Sequence, residues 1–389
     1  MARKISRLKI AIISAALPPR LDGIGDYTAL LAAHLARSAE VQILTAEGTR
    51  CDPVPGVDIV PTFRIGQPQS FERILAVVRE SKPDWVLLQY NPFSFGKWGL
   101  NLTLPRVMRQ IKKTCPGTRV AMMAHETFVP VINWKFAIMT LWQRRQFRQL
   151  GRSADALFFS IEAWTRDFAR WFPGKTLVHL PVGSNIPHVP MSRTEARARL
   201  GIADDTLVLG LFGGMHISRL IEWSRDAAQA VAAMGQPLLV LHAGPDADAV
   251  QHLFSGLPVR AEGPLPAEEI SRRFAAMDLF LSPFSDGIST RRGSLMTGLQ
   301  HGIAAVGTRG HHTDSLLARE DGKALLLAGT DDPAAFIAQV LALAGSRDRR
   351  TTLGCAGQAL FKHEFSWEQI AARLLSHLGS ENPASKETL

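Results

Sequence analysis

Arg291 and Arg292 stand directly before Gly293 and Ser294 in the stretch LFLSPFSDGISTRRGSLMTGLQHGIAAVGT, Leu279 to Thr308. Guanidinium forks match phosphate oxygens and keep their charge, so two of them beside a glycine suit an anionic ligand. The pattern around them supplies a helix terminus. A short apolar strand (Leu279 to Leu281) leads into a polar loop with Asp286 and Gly287. A helix then opens at Gly293 or Ser294 and closes at Gly302, and a second strand follows from Ala304 to Gly307. A strand that runs through a glycine-containing loop into a helix presents free N–H groups and the positive end of a dipole, which favours phosphate. The alternative is an ordinary βαβ corner with solvated arginines.

Three other places carry chemistry-bearing residues. The segment FGGMHISRLIEW follows a strand with a glycine turn holding Gly213, Gly214 and His216, and places Arg219 at the start of a helix expected over Ser218 to Met234, where a histidine can serve as a further donor. His125 and Glu126 end the strand Arg119 to Ala124, and ligands of open α/β sheets lie outside the carboxyl ends of strands. Gly23 and Gly25, with Asp22 and Asp26, form a glycine-bearing loop after the first strand. No GxSxG, HExxH or Walker A pattern is present, which removes support for hydrolase, metalloprotease and phosphoryl-transfer readings.

The elements that must position these residues alternate, apolar strand then amphipathic helix, as in parallel sheets covered on both faces. Strands are expected at Leu8 to Ser14, Glu40 to Thr45, Trp85 to Gln89, Arg119 to Ala124, Ala156 to Ser160 and Thr176 to Leu180. The helices between them include Tyr27 to Arg37, Ser70 to Ser81, Pro105 to Lys113 and Asn133 to Leu150. The proline- and glycine-rich segment LPVGSNIPHVP, Leu180 to Pro190, reads as a hinge. Beyond it the alternation restarts with a helix at Thr194 to Leu200 and strands at Leu207 to Phe212, Leu238 to Ala243 and near Val259. Two helices close the chain, near Thr351 to Phe361 and Ser366 to Leu378, and the tail after Gly379 reads as loose.

A chain of 389 residues, 46% hydrophobic and with mean hydropathy near zero, has the length for two domains and a sizeable core. Cys51, Cys115 and Cys355 are far apart, without the spacing of a disulfide framework or a zinc site. The start MARKISRLKIAIISAAL resembles a signal peptide, but its short apolar run leads straight to Pro18 and Pro19 and reads as a first buried strand. No transmembrane helix is expected.

Together, the glycine-bearing first loop, the strand ending in His125-Glu126, the hinge, and SPFSDG leading to GSLMTGLQHG and AAVGT resemble a GT-B glycosyltransferase, most closely the retaining family 4. The resemblance covers almost the whole chain. It implies two doubly wound Rossmann-like domains facing a central cleft: 1–184 on the acceptor side, 185–365 on the donor side, and a helix within 366–389 packing back toward the first. That family carries paired glutamates at the corner Leu279 to Thr308. Here Asp286 stands at the first, which the resemblance assigns to sugar hydroxyls, and Thr297 at the second, assigned to the ribose; the alternative for Thr297 is a plain helix residue bonded to its own backbone. The family's diphosphate-binding lysine falls on Arg219, while its arginine partner falls on Gly214 and is absent; Arg291 or Arg292 can supply that charge. His125 matches a strand-end histidine near the donor sugar, and Gly23 and Gly25 match the loop that approaches donor phosphate or acceptor.

The resemblance therefore implies an enzyme that moves a sugar, with retention, from a nucleoside diphosphate sugar to a glycan or lipid-linked acceptor in bacterial surface-glycan assembly. An epimerase on the same fold and a non-catalytic nucleotide-sugar-binding scaffold are the alternatives. With no DxD-type loop, neither a metal nor another cofactor is expected. The net charge is +9, and Lys112, Lys113, Lys135, Arg144, Arg145, Arg148 and Arg152 interleave with Trp134, Phe136, Trp142 and Phe147. That pattern over Asn133 to Arg152 suits an anionic membrane surface, against the alternative of a core helix with a solvated basic face. The expected location is cytoplasmic, peripheral on the inner membrane face. No nucleic-acid motif accompanies the charge.

Overall fold

The computed structural model describes residues 7–48 and 50–380. The basic start of the chain and the tail beyond Ser380 lie outside them. Two compact units divide the chain: one is Val182–Ser366, and the other comprises the described residues on either side of it.

In the first unit the order is β1 (Lys9–Ile13), α1 (Gly23–Leu35), β2 (Glu40–Ala46), β3 (Val57–Phe63), α2 (Glu72–Ser81), β4 (Trp85–Tyr90), α3 (Thr103–Thr114), β5 (Arg119–Ala124), α4 (Trp134–Ser153), β6 (Ala156–Phe159), α5 (Glu162–Asp167) and β7 (Thr176–His179). The strands form one parallel sheet in the order β3-β2-β1-β4-β5-β6-β7. This is the doubly wound order that reverses beside the first strand. β4 is buried at all six residues, as a central strand covered on both faces must be. The last helix of the chain returns to this unit and packs on α1: Trp367 lies edge-on to Tyr27 with ring centroids 5.2 Å apart, and Trp85 Nε1 donates to the Leu378 carbonyl at 3.1 Å.

The second unit runs α6 (Arg193–Leu200), β8 (Leu207–Phe212), α7 (Ile221–Ala232), β9 (Leu238–Ala243), α8 (Ala247–Leu253), β10 (Val259–Glu262), α9 (Ala267–Ala276), β11 (Leu279–Ser282), α10 (Gly293–Gln300), β12 (Ala304–Arg309), α11 (Ser315–Arg319), β13 (Leu326–Gly329), α12 (Pro333–Ala344) and α13 (Arg347–Leu360); α14 (Trp367–Ser380) is the returning helix. Its parallel sheet reads β10-β9-β8-β11-β12-β13, the same winding. Alternation along β8 sends Val208 into one apolar layer with Phe274 and Phe280 and Leu207, Leu209 and Leu211 into the opposite layer with Val306 and Phe336, the period of two that a covered strand imposes.

Several elements depart from expectation. α1 begins at Gly23, not near Tyr27, and β3, α8, α11 and β13 are present although the alternation did not single them out. α7 begins at Ile221, so Arg219 lies in the loop before the helix.

Candidate functional site

In the second unit the strand order reverses between β8 and β11, and the loops leaving these two strands are bonded to each other. Leu220 N donates to Pro283 O at 3.0 Å, and Ser285 N to Ser218 O at 2.8 Å. Phe284 is pinned from below by Thr308, whose hydroxyl receives the Phe284 N–H at 2.8 Å and donates to its carbonyl at 2.6 Å. The turn at Asp286-Gly287 then packs against Gly310. Gly287 has φ of +81° and a side chain there would collide with Gly310 and Thr313, so only glycine closes this turn without strain.

This zipping gathers five of the expected residues, Asp286, Arg291, Arg292, His216 and Arg219. Asp286 bonds Arg292 Nη2 through both oxygens, at 2.8 and 2.9 Å, faces Arg291 at 3.7 Å, and meets His312 Nδ1 at 3.2 Å. Burial pushes the Asp286 carboxyl up, but the His312 hydrogen bond and the charges of Arg292 and Arg291 outweigh it and hold the group far below the usual carboxylate range. Arg292 also donates to Ser218 Oγ at 3.0 Å, and Ser218 Oγ lies 2.8 Å from His216 Nδ1. A continuous polar chain thus runs from Asp286 through Arg292 and Ser218 to His216. The Arg292 guanidinium stacks 3.9 Å from the Phe284 ring centroid, and that of Arg219 lies 5.5 Å from it.

Arg219 is buried, and its guanidinium donates to the carbonyls of Phe212 at 2.6 Å and Gly213 at 3.3 Å. No carboxylate pairs with it among the described residues. Burial first, and the charge of Arg292 second, push it down to about 10. Gly213 is the hub of this corner, since its carbonyl also accepts from His242 Nε2 at 3.0 Å. Gly214 packs against Pro245 and Asp246, 3.1 and 3.2 Å from where a β-carbon would stand. α10 opens at Gly293, followed by Ser294, with Arg292 at the cap position and no side chain capping its first turn.

Three expectations change here. The oxygens of Asp286 are committed to Arg292, Arg291 and His312, so it acts on the arginines and is not an open acceptor. The Thr297 hydroxyl is buried inside α10, bonded to Gly293 O at 2.9 Å and within 3.0 Å of Ser184 Oγ, which is the backbone-bonded alternative. Gly23 and Gly25 are not a loop: Asp22 Oδ1 accepts from Ile24 N and Gly25 N and caps α1 around them. Gly25 is needed because a β-carbon would stand 3.0 Å from Ala16 O. Asp26, half-buried in that first turn, is pushed up to about 6 by burial and then by Asp22.

His125 belongs to the first unit, at the end of β5, with Nε2 2.8 Å from Gln89 Oε1 and Tyr27 edge-on at 4.6 Å. Burial drives its imidazole down to about 3. Burial thus favours the neutral ring, with Nε2 paired to the Gln89 side-chain amide. Ser218, Phe284 and His312 carried no sequence signal; each is an ordinary residue type whose role exists only once the loops after β8, β11 and β12 meet.

The basic helix is also rearranged. Phe147 is core, Lys112 pairs with Asp155, and Arg144 and Arg148 stack on Trp171 at 5.2 and 4.8 Å. The exposed stripe of α4 is Trp134, Ile138 and Leu141, with Trp134 70% and Leu141 72% exposed; Trp98, Leu102, Val131 and Ile132 are exposed apolar residues on the preceding loops. No helix among the described residues is long and apolar enough to cross a membrane.

No protein-family model matches the sequence. Over 259 residues the chain is 26% identical to the GDP-mannose-dependent monoacylated alpha-(1-6)-phosphatidylinositol monomannoside mannosyltransferase of Corynebacterium glutamicum, a match covering 61% of this chain and 65% of that protein. The match thus spans just under two thirds of that relative's length. Among solved structures, sucrose-phosphate synthase from Thermosynechococcus elongatus superposes with a TM-score of 0.72 at 17% identity, over 97% of this chain and all 100% of that one. HepE of Anabaena, in complex with UDP and glucose, gives a TM-score of 0.67 at 14% identity over 96% of this chain and 100% of its own. Identities this low speak to the fold. The chain has the GT-B glycosyltransferase fold and is similar over part of its length to a mannosyltransferase.

Proposed function

We propose that the protein transfers a sugar, with retention, from a nucleoside diphosphate sugar to a glycan or lipid-linked acceptor in bacterial surface-glycoconjugate assembly. The observation that carries this reading is Arg219, a buried cation with two backbone carbonyls, a like-charged neighbour and, among the described residues, no acid. Leaving a charge so is costly unless a counter-charge arrives with a ligand. Arg292 and the uncapped start of α10 lie on the same loop pair, so a diphosphate would meet two guanidiniums and free N–H groups. The leaving diphosphate gains negative charge as the glycosidic bond breaks, and fixed cations beside it lower that barrier. His125, neutral, would contribute as a hydrogen-bonding group and not as an imidazolium. The mannosyltransferase relative, whose name specifies a GDP-mannose donor and a phosphatidylinositol-linked acceptor, supports the donor class and a lipid-linked acceptor.

The test is incubation with a panel of nucleotide sugars and lipid-linked acceptors, reading released nucleoside diphosphate and glycosylated product. Transfer is expected to survive a chelator, because Arg219 and Arg292 would supply the neutralising charge. Isomerised donor without transfer would instead make the protein an epimerase, and binding without turnover a scaffold.

The exposed apolar stripe of α4 supports docking on an anionic membrane, where the acceptor would lie. Each basic residue near such a surface contributes about 1 kcal/mol, and the apolar rings add burial. Replacing Trp134 and Leu141 with serine is expected to release the protein from anionic vesicles with donor binding unchanged. Undiminished vesicle binding by that variant would sink the docking surface.

A further inference from the structure

A cavity of about 280 Å³ lies in the second unit, away from the corner just described. Met277 and Asp278 line it immediately before β11, and Gly302 and Ile303 immediately before β12. It therefore opens at the amino ends of these strands, whereas Arg219 and Arg292 stand at the carboxyl ends of β8 and β11. The same separation holds along α10: Arg292 caps its start, and His301, which follows its last residue, is in the cavity wall.

The lining is basic. Arg193, Arg347 and Arg350 face it against the single carboxylate of Asp278. That carboxylate is already spent, since it takes Arg193 Nε at 2.9 Å, the Val208 N–H at 2.8 Å and a short bond from buried Arg197. No carboxylate pairs with Arg347 or Arg350 among the described residues. Arg350 gives Nη1 to the Leu343 and Ala344 carbonyls, at 2.7 and 2.9 Å, which ties its stem to the end of α12. Burial and then the charges of Arg193 and Arg347 push Arg350 down, with Asp278 opposing. On α13, Arg347, Arg350, Thr351 and Cys355 recur at helical spacing, so one stripe of that helix forms a wall. A concave site with convergent guanidiniums and a hydroxyl is built for oxyanions.

We propose that this cavity is a second binding site, for a compact phosphorylated small molecule. Its volume falls just short of the roughly 300–1,000 Å³ of pockets for drug-sized ligands, so the occupant is smaller than a nucleotide sugar.

Cys355 is exposed at the wall and reports occupancy. Its alkylation by iodoacetamide in the full-length protein is followed peptide by peptide, with inorganic phosphate, a hexose 6-phosphate and the plain hexose as probes at matched ionic strength. A ligand at ten times its Kd leaves about one site in eleven open, so the phosphate-bearing probes are expected to slow alkylation about tenfold. The plain hexose should not. Arg347→Glu, at an exposed position, should abolish protection while Arg347→Lys keeps part of it. The proposal is overturned if neither phosphate-bearing probe protects, if sodium chloride protects as well as they do, or if protection persists in Arg347→Glu. Arg347→Glu should still bind a nucleoside diphosphate at the Arg219 corner as wild type does, which keeps this test separate from the proposed transferase activity.

Discussion

Arg197 and Arg219 are buried in the same unit, at 0% and 7% exposure, and they are served in opposite ways. Arg197 gives Nη2 to Asp278, Nη1 to the carbonyls of Ala203, Asp204 and Thr206, and Nε to Ala276. Its charge is matched and its donors are filled. Arg219 has two carbonyls and no acid. Burial lowers both groups; Asp278 opposes the drop at Arg197, whereas Arg292 deepens it at Arg219. A buried ion needs a partner or a use. Arg197 has the partner; no described acid supplies one at Arg219, and that contrast is the basis of the proposed diphosphate site.

The largest expected effect breaks the satisfied member. Arg197→Met leaves the Asp278 carboxylate with Arg193 and the Val208 N–H and removes the donors that tie the loop after α6, at a cost of about 3–5 kcal/mol. Urea denaturation should show that loss, while activity per folded molecule stays at the wild-type level. A change in stability too small to resolve would remove the contrast.

The complementary substitution should invert both readouts. Arg219→Met fills the same space without an uncompensated charge, so stability is expected to hold or rise. Transfer should nevertheless fall by about a hundred- to a thousandfold, the usual effect of deleting one donor that stabilises developing charge. Lysine at position 219 should recover part of the rate. If Arg219→Met destabilises the fold and transfers sugar normally, Arg219 is a structural arginine like Arg197.

Why one of these arginines could be singled out from the sequence and its surroundings could not follows from how each signal arises. Strand and helix periodicity is local, so both doubly wound halves and the strand-loop-helix corner at Leu279 to Thr308 were legible. β3 was not, because VDIVPTF carries Pro61, which a strand tolerates at a sheet edge. β13 is likewise a short edge strand. The glycines at 23 and 25 read as loop because their helix depends on the Asp22 cap and on close approach to Ala16, neither of which composition reveals. Arg219, Arg291, Arg292 and Asp286 could be named as residue types beside glycines. That Asp286 is taken by the arginines, and that Ser218 and His312 join them, depends on side-chain hydrogen bonds between residues 74 and 26 positions apart.

The smallest expected effect concerns that acid, which sits between the two cases. Asp286 is the counter-charge that Arg292 has and Arg219 lacks, so Asp286→Asn should make the Arg292 environment more like that of Arg219. Losing a hydrogen bond to a charged group costs about 1.5–3 kcal/mol, reduced here because the asparagine oxygen still accepts one bond. The folded carboxyl is held below its unfolded value near 3.9. Its contribution is therefore fully present well above about pH 4 and is lost as pH falls below the unfolded value toward the folded one. Wild type should exceed Asp286→Asn in stability at pH 7, and the gap should begin to narrow as pH falls below about 4 and keep narrowing toward the far lower folded value. Activity at pH 7 should drop less than in Arg219→Met, because Arg292 keeps Ser218 and the Phe284 ring as guides and loses only the group that fixes its outer edge. A stability gap that persists unchanged in acid would mean that the Asp286 carboxylate does not hold Arg292 by charge.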